Sequence, residues 1–266
     1  MNDHPPFVDI HCHILPCIDD GAKSWEDSLA MARIAADEGV AAIIATPHQL
    51  GSFAHNEGAA IRQRVAQLNA LLVQQSIDVE VLPGADVRIE ADMCDRLLTG
   101  EVLTLADQRK HVLLELPHEM YLPLEPVLAQ LQRQNLVGVL SHPERNQGIL
   151  KQPELIAPLI EQGCLMQVTA GSLFGSFGPA ARDLAETMLR MRQAHFLATD
   201  AHGPKARRPL LLRAYQKAIE IADQQYAEAI CSEFPACVAR GELFVAPEPM
   251  RPRRTLMGWL GLKKAA

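Results

Sequence analysis

The 266-residue sequence predicts an α/β fold: a closed or nearly closed barrel of seven parallel strands with helices between them. Three observations predict it. Seven short apolar runs alternate with stretches of helical period, which implies parallel strands joined by crossover helices. Six of the runs carry histidine or a carboxylate at or just past their C-terminal ends, and functional groups of barrels sit at strand C-terminal ends. Ligands from six of seven strands converge at the mouth of a barrel but not across a flat, open sheet. With 48% hydrophobic residues the chain is rich enough for one large core.

The elements follow in order. Strand-like runs are Phe7 to His13, Ala41 to Thr46, Val79 to Pro83, His111 to Leu116, Leu136 to Ser141, Cys164 to Thr169 and His195 to Thr199. The first helix, Ser24 to Glu38, opens on Ser24-x-x-Asp27, which resembles a capping box, and stops at Gly39, a suitable C-cap. Glu57 to Gln75 repeats Ile61, Val65, Leu68 and Leu72 at helical period. Pro123 to Gln134, Pro153 to Gln162, Pro179 to Arg192 and Pro209 to Asp223 follow, each with proline near its start. No glycine-rich dinucleotide or phosphate loop appears.

Composition narrows the function classes. No run approaches the roughly 18 to 20 apolar residues that span a bilayer, and the N-terminus lacks a signal-peptide pattern, so a cytoplasmic protein is expected. The six cysteines show no CxxC pair and read as reduced thiols. A net charge of −7 disfavours a broad nucleic-acid surface, and no nucleic-acid partner is expected. Residues 1 to 246 are read as one barrel domain of net charge −11, and 247 to 266 as a basic amphipathic tail of net +4. Such a tail suits contact with a membrane surface or another subunit.

The chemistry lies in the strand ends. Alternation along the first strand sends His11 and His13 to one face, where a metal takes both. Together with Asp20, His48, Asp86, Glu115, His142, Asp200 and His202 they make nine imidazole and carboxylate ligands, too many for one ion. Three divalent ions against four carboxylates would leave a site of about +2, attractive to an anion. A bridging hydroxide between two metals is then the nucleophile for phosphoryl transfer. Arg145, in SHPERN, and Arg207, in DAHGPKAR, fall on loops beside these ligands, and planar guanidinium groups bind phosphate bidentately.

The segments DIHCHILPCIDDG, IIATPH, VLPGADVRI, LLELP, SHPERN, VTAGSLFGSFG and ATDAH resemble, in order and spacing, the polymerase-and-histidinol-phosphatase (PHP) superfamily. Within it they resemble the manganese-dependent protein tyrosine phosphatases of bacterial capsule and exopolysaccharide loci, over roughly residues 7 to 246. The resemblance implies a distorted (β/α)7 TIM-like barrel, the PHP fold, with three Mn2+ ions; Fe, Zn or Mg are alternatives. It implies a phosphotyrosine protein as substrate, typically an autophosphorylating tyrosine kinase of polysaccharide export. Carried over, one metal is held by His11, His13, Asp86 and Asp200, a second by Asp86, Glu115 and His142, and a third by Asp20, His48 and His202. Arg145 and Arg207 match the family's phosphate-binding arginines. Position 86 departs from the pattern, which has a bridging glutamate there, and the shorter aspartate leaves the metal spacing open.

Rival chemistries fare less well. A cysteine-dependent phosphatase needs arginine six positions after the cysteine, and none of the six cysteines has it. Binuclear amidohydrolases bridge their metals with a carboxylated lysine at a strand end, whereas Lys110 comes before a strand. Histidinol phosphate phosphatase, or another small-molecule phosphomonoesterase of the superfamily, is the closest rival; DDGAKS and GSLFGSFG favour the tyrosine branch.

Overall fold

The computed structural model describes residues 4–250. All but the first four residues of the expected basic tail, 247–266, lie outside them. Among the described residues no helix is long and apolar enough to cross a membrane.

Seven strand positions form one parallel barrel. In chain order the strands are β1 (Phe7–Cys12), β2 (Val40–Ala45), β3 (His48–Gln49), β4 (Glu80–Pro83), β5 (Asp86–Arg88), β6 (His111–Glu115), β7 (Val137–Ser141), β8 (Leu165–Thr169) and β9 (Phe196–Ala198). Every ladder between them is parallel, in the orders β1-β2-β4 and β3-β5-β6-β7-β8-β9. Two expected strands are broken rather than continuous. Pro47, which lacks an N–H, separates β2 from β3. Gly84 separates β4 from β5 where a Cβ would come within 2.7 Å of Ile44. The ladder resumes past both breaks, because the Asp86 amide donates to the Pro47 carbonyl at 3.1 Å and His48 pairs with Asp86. At the other edge, the Asp200 amide donates to the His11 carbonyl at 2.7 Å and the His13 amide to the Ala201 carbonyl at 2.8 Å. These bonds join β9 to β1 and close the ring.

The helices cover it. They are α1 (Trp25–Asp37), α2 (Gly58–Gln74), α3 (Met93–Thr99), α4 (Glu125–Arg133), α5 (Gln147–Lys151), α6 (Ile156–Glu161), α7 (Pro179–Arg190), α8 (Leu212–Ile221), α9 (Gln224–Glu228) and α10 (Phe234–Ala239). Ser24 caps α1 by accepting from the Asp27 amide, while the Asp27 carboxylate reaches back to the Lys23 amide. Gly39 follows in the left-handed region, φ +86°. The helix expected over 153–162 is split, and α3, α5, α9 and α10 fall outside the stretches whose periodicity predicts a helix. Between α9 and α10 a π-helical turn, Ala229–Glu233, and then Pro235 interrupt the 3.6-residue period, which hides the element in the sequence.

The strands read as near-continuous apolar runs because they are buried on both faces, by barrel interior and by helices. Phe234 and Phe244 stack at 4.4 Å near the starts of β6 and β9, with Phe244 also against His111 and Phe196, so the chain after α10 covers the end of the barrel opposite the ligands.

Candidate metal centre

The nine sequence-derived ligands gather at the C-terminal end of the barrel. His11 lies within β1 and His13 just past it, His48 and Asp86 open β3 and β5, and Glu115 ends β6. His142 follows β7, and Asp200 and His202 follow β9. Four groups have donor atoms within 4.8 Å of one another: His13, Asp20, His48 and His202; His11, His142 and Asp200; His11, His13 and Asp86; and His48, Asp86 and Glu115. Asp20, His48 and His202 thus meet as expected, joined by His13. Asp200 also approaches both His11 (3.3 Å) and His13 (3.4 Å), so the expected first set is drawn together. The second is drawn differently: His48 accompanies Asp86 and Glu115, whereas His142, at φ +34°, stacks its ring on His11 at 5.6 Å.

Partners behind the histidines fix which nitrogen faces inward. The Gln167 side-chain oxygen lies 2.8 Å from His11 Nδ1, Asp19 Oδ2 lies 2.7 Å from His13 Nδ1, and the Asp200 carbonyl lies 2.9 Å from His202 Nδ1. Each oxygen accepts a hydrogen bond from an Nδ1–H, which keeps the proton on Nδ1 and leaves the Nε2 lone pair aimed at the cluster. Nε2 of His11 and of His13 then face each other at 3.2 Å, an arrangement that calls for a positive charge between them. Asp86 makes the same demand: its carboxylate is fully buried and both oxygens lack a hydrogen-bond partner among the described residues.

The electrostatics agree. Burial and the nearby Glu115 push the Asp86 carboxyl well above its usual range. Burial lowers His11 to about 3 and His48 to about 4, which keeps both neutral and able to bind a metal. Burial works against a charge on His13 as well, yet hydrogen bonds and charges from Asp19 and Asp200 hold it up at about 10. A cation at this position replaces the proton that these carboxylates retain. The donor set therefore fits bound divalent ions.

The arginines converge on one carboxylate. Arg145 Nη1 and Arg207 Nη2 both donate to Asp200 Oδ2, while Oδ1 faces the histidines. The Arg145 guanidinium lies 3.9 Å over the Phe177 ring, and the turn that carries it is anchored by buried Glu144, which accepts from Ser172 Oγ (2.7 Å) and the Thr169 amide (3.0 Å). Both arginines line a pocket of about 200 Å³ with Asp20, His48, Glu115 and His142.

The family's sequence profile for capsular polysaccharide synthesis, CpsB/CapC, matches residues 7–240. The chain belongs to the CpsB/CapC family. It is 40% identical over 203 residues to the tyrosine-protein phosphatase YwqE of Bacillus subtilis, which covers 76% of this chain and 79% of that one. A solved chain from the pair YwqE of Bacillus subtilis and CpsB of Streptococcus pneumoniae, described as metal-dependent tyrosine phosphatases, superposes with TM-score 0.86 at 34% identity over 93% of this chain and 100% of that one. The phosphotriesterase homology protein of Escherichia coli, at 11% identity and TM-score 0.53 over 85% of this chain and 99% of that one, shares the fold alone.

Sequence reasoning passed over four residues of this CpsB/CapC site. Asp19 was visible in the Asp19-Asp20 pair, but only the loop's path shows that Asp19 turns inward to His13 and the His48 amide (3.1 Å) while Asp20 stays half-exposed. Gln167 stood out as a polar residue in an apolar strand. Glu144 and Phe177 carried no local signal.

Proposed function

We propose that this chain is a metal-dependent protein tyrosine phosphatase acting on a phosphotyrosine protein of capsular or exopolysaccharide synthesis, its partner being an autophosphorylating tyrosine kinase. The observation that carries the reading is the convergence of two arginines and six of the nine ligands on a single pocket, with the other three ligands clustered against them. Divalent ions held there, Mn2+ in this reading, would supply Lewis acidity and an activated water. His11, His13, Asp86 and Asp200 would hold one ion, Asp86, Glu115 and a histidine a second, and Asp20, His48 and His202 a third. His48 lies with Asp86 and Glu115, and His142 lines the same pocket as Glu115.

The chain's own groups do the rest. Arg145 and Arg207 bind the phosphoryl oxygens and stabilise the charge that builds on them as the ester bond breaks. Phe177 holds the Arg145 guanidinium flat at the pocket. Asp19 and Gln167 hold the tautomers of His13 and His11. The barrel, 1–246, performs the chemistry in the cytoplasm; the basic segment 247–266 carries none of these groups and serves location or assembly.

The test compares a phosphotyrosine peptide, a phosphoserine peptide and histidinol phosphate on purified protein that is chelated and then restored with Mn2+. Hydrolysis is expected to vanish and return with the metal, with kcat/KM highest for phosphotyrosine. Full turnover by metal-free protein sinks the metal role, and a value for histidinol phosphate tenfold above that for phosphotyrosine reverses the substrate assignment.

A further inference from the structure

Beside the metal pocket lies a second cleft, of whose wall the hydrolysis proposed above uses only Arg207 and Phe177. It encloses about 280 Å³, and its wall includes Phe174, Phe177, Lys205, Arg207, Arg208 and Arg213 but no carboxylate. Among the described residues, only Arg207 of the four cations has a carboxylate partner, Asp200. A chain of net charge −7 thus collects four positive groups at one concavity, where their repulsion is relieved by an anion. The two clefts share a partition. Arg207 lines both, and the Phe177 ring lies 3.9 Å from the Arg145 guanidinium of the metal pocket and 5.7 Å from that of Arg207.

The chemistry of the wall narrows the ligand. Lys205, Arg208 and Arg213 offer charge-assisted donors to a phosphate dianion. Phe174, 37% exposed and carrying the Arg213 guanidinium 4.0 Å over its ring, offers an apolar surface to an aryl group. A volume near the roughly 300 Å³ lower end of small-molecule pockets suits one side chain rather than a macromolecular face. We propose that this cleft is a second phosphate subsite, which holds an additional phosphotyrosine of the same polypeptide while the first is hydrolysed at the metal pocket. The proposal rests on the phosphotyrosine reading above. It makes a multiply phosphorylated segment the preferred substrate.

Three peptides of one sequence test it: two phosphotyrosines, one phosphotyrosine beside tyrosine, and one phosphotyrosine beside glutamate. KM and kcat are measured on the manganese-loaded full chain, and affinity by fluorescence polarisation with non-hydrolysable phosphonate analogues. The doubly phosphorylated peptide is expected to show KM and Kd about tenfold below the singly phosphorylated one, the size of one charge-assisted contact. Arg213→Ala and Lys205→Ala should each shrink that gain while leaving kcat on the singly phosphorylated peptide unchanged; Lys205→Ala, on an exposed loop, decides the matter if Arg213→Ala disturbs α8. Equal affinities in the unaltered protein, or a gain that survives both variants, overturns the subsite. An equal gain from glutamate overturns its preference for phosphate. Should no peptide be hydrolysed while the binding preference stands, the phosphatase reading fails and the subsite survives.

Discussion

Asp86 is the residue on which the site's stoichiometry turns. Its carboxylate is 3.6 Å from His11 Nε2 and 3.5 Å from His48 Nδ1, and it belongs to two of the four donor groups, so even with the shorter side chain it sits between them. Asp86→Asn is therefore expected to lower bound metal by two ions per chain and Asp20→Asn by one, as read by elemental analysis; loss of a single ion in Asp86→Asn refutes the bridge. Arg145 differs in kind, because its role falls in the transition state, when charge accumulates on the phosphoryl oxygens. Arg145→Ala should lower kcat by about a hundredfold with little change in KM, on the order of losing an oxyanion donor. A rise in KM alone would reduce Arg145 to substrate capture.

At the scale of elements, a loop matters more than any helix. Residues between β1 and α1 fold back so that the Ala22 amide donates to the His13 carbonyl at 3.1 Å, which brings Asp19 and Asp20 to the ligands. Gly21 permits this, since a Cβ there would lie 2.2 Å from the His13 carbonyl oxygen. Gly21→Ala must push the loop outward, at a cost of about 1 to 3 kcal/mol for overpacking. The expected result is a lower melting temperature together with loss of the ion assigned to Asp20. If metal content and melting temperature match those of the unaltered chain, the loop is not held by this contact. The broken strands act similarly: the interruptions at Pro47 and Gly84 start β3 and β5 afresh at His48 and Asp86, which pair directly across the ladder.

For the whole molecule, the end of the barrel opposite the metals sets a pH dependence of its own. His111 and His195 are buried there, and burial lowers each to about 4 from 6.5, with Lys110 adding to the effect on His111. The folded state therefore binds fewer protons than the unfolded one between these values. Their contribution to stability is complete above pH 6.5 and is lost as pH falls towards 4, up to about 3 kcal/mol each. Urea midpoints across this window should fall more steeply for the unaltered protein than for His195→Gln or His111→Phe. Comparing variant with parent cancels losses common to both, including those at the metal centre. Parallel curves would show that neither histidine carries the effect.

The strands, their order and the ligand-bearing ends were legible because those signals are local. A run such as Val137–Ser141 is apolar whatever surrounds it, and alternation places His11 and His13 together without reference to any other element. The motifs that placed the chain in its family are local in the same sense. Tertiary structure alone decided the rest. Closure of β9 onto β1, the turn of Asp19 and Gln167 behind the histidines, the placement of His142 beside His11, and the meeting of Arg145 and Arg207 on Asp200 join residues up to 189 positions apart. The cleft that sets Arg213 of α8 against Phe174 is of the same kind. Such neighbours are fixed by strand register and by the angle at which each helix returns to the sheet, and neither leaves a trace in the sequence around the residues it brings together.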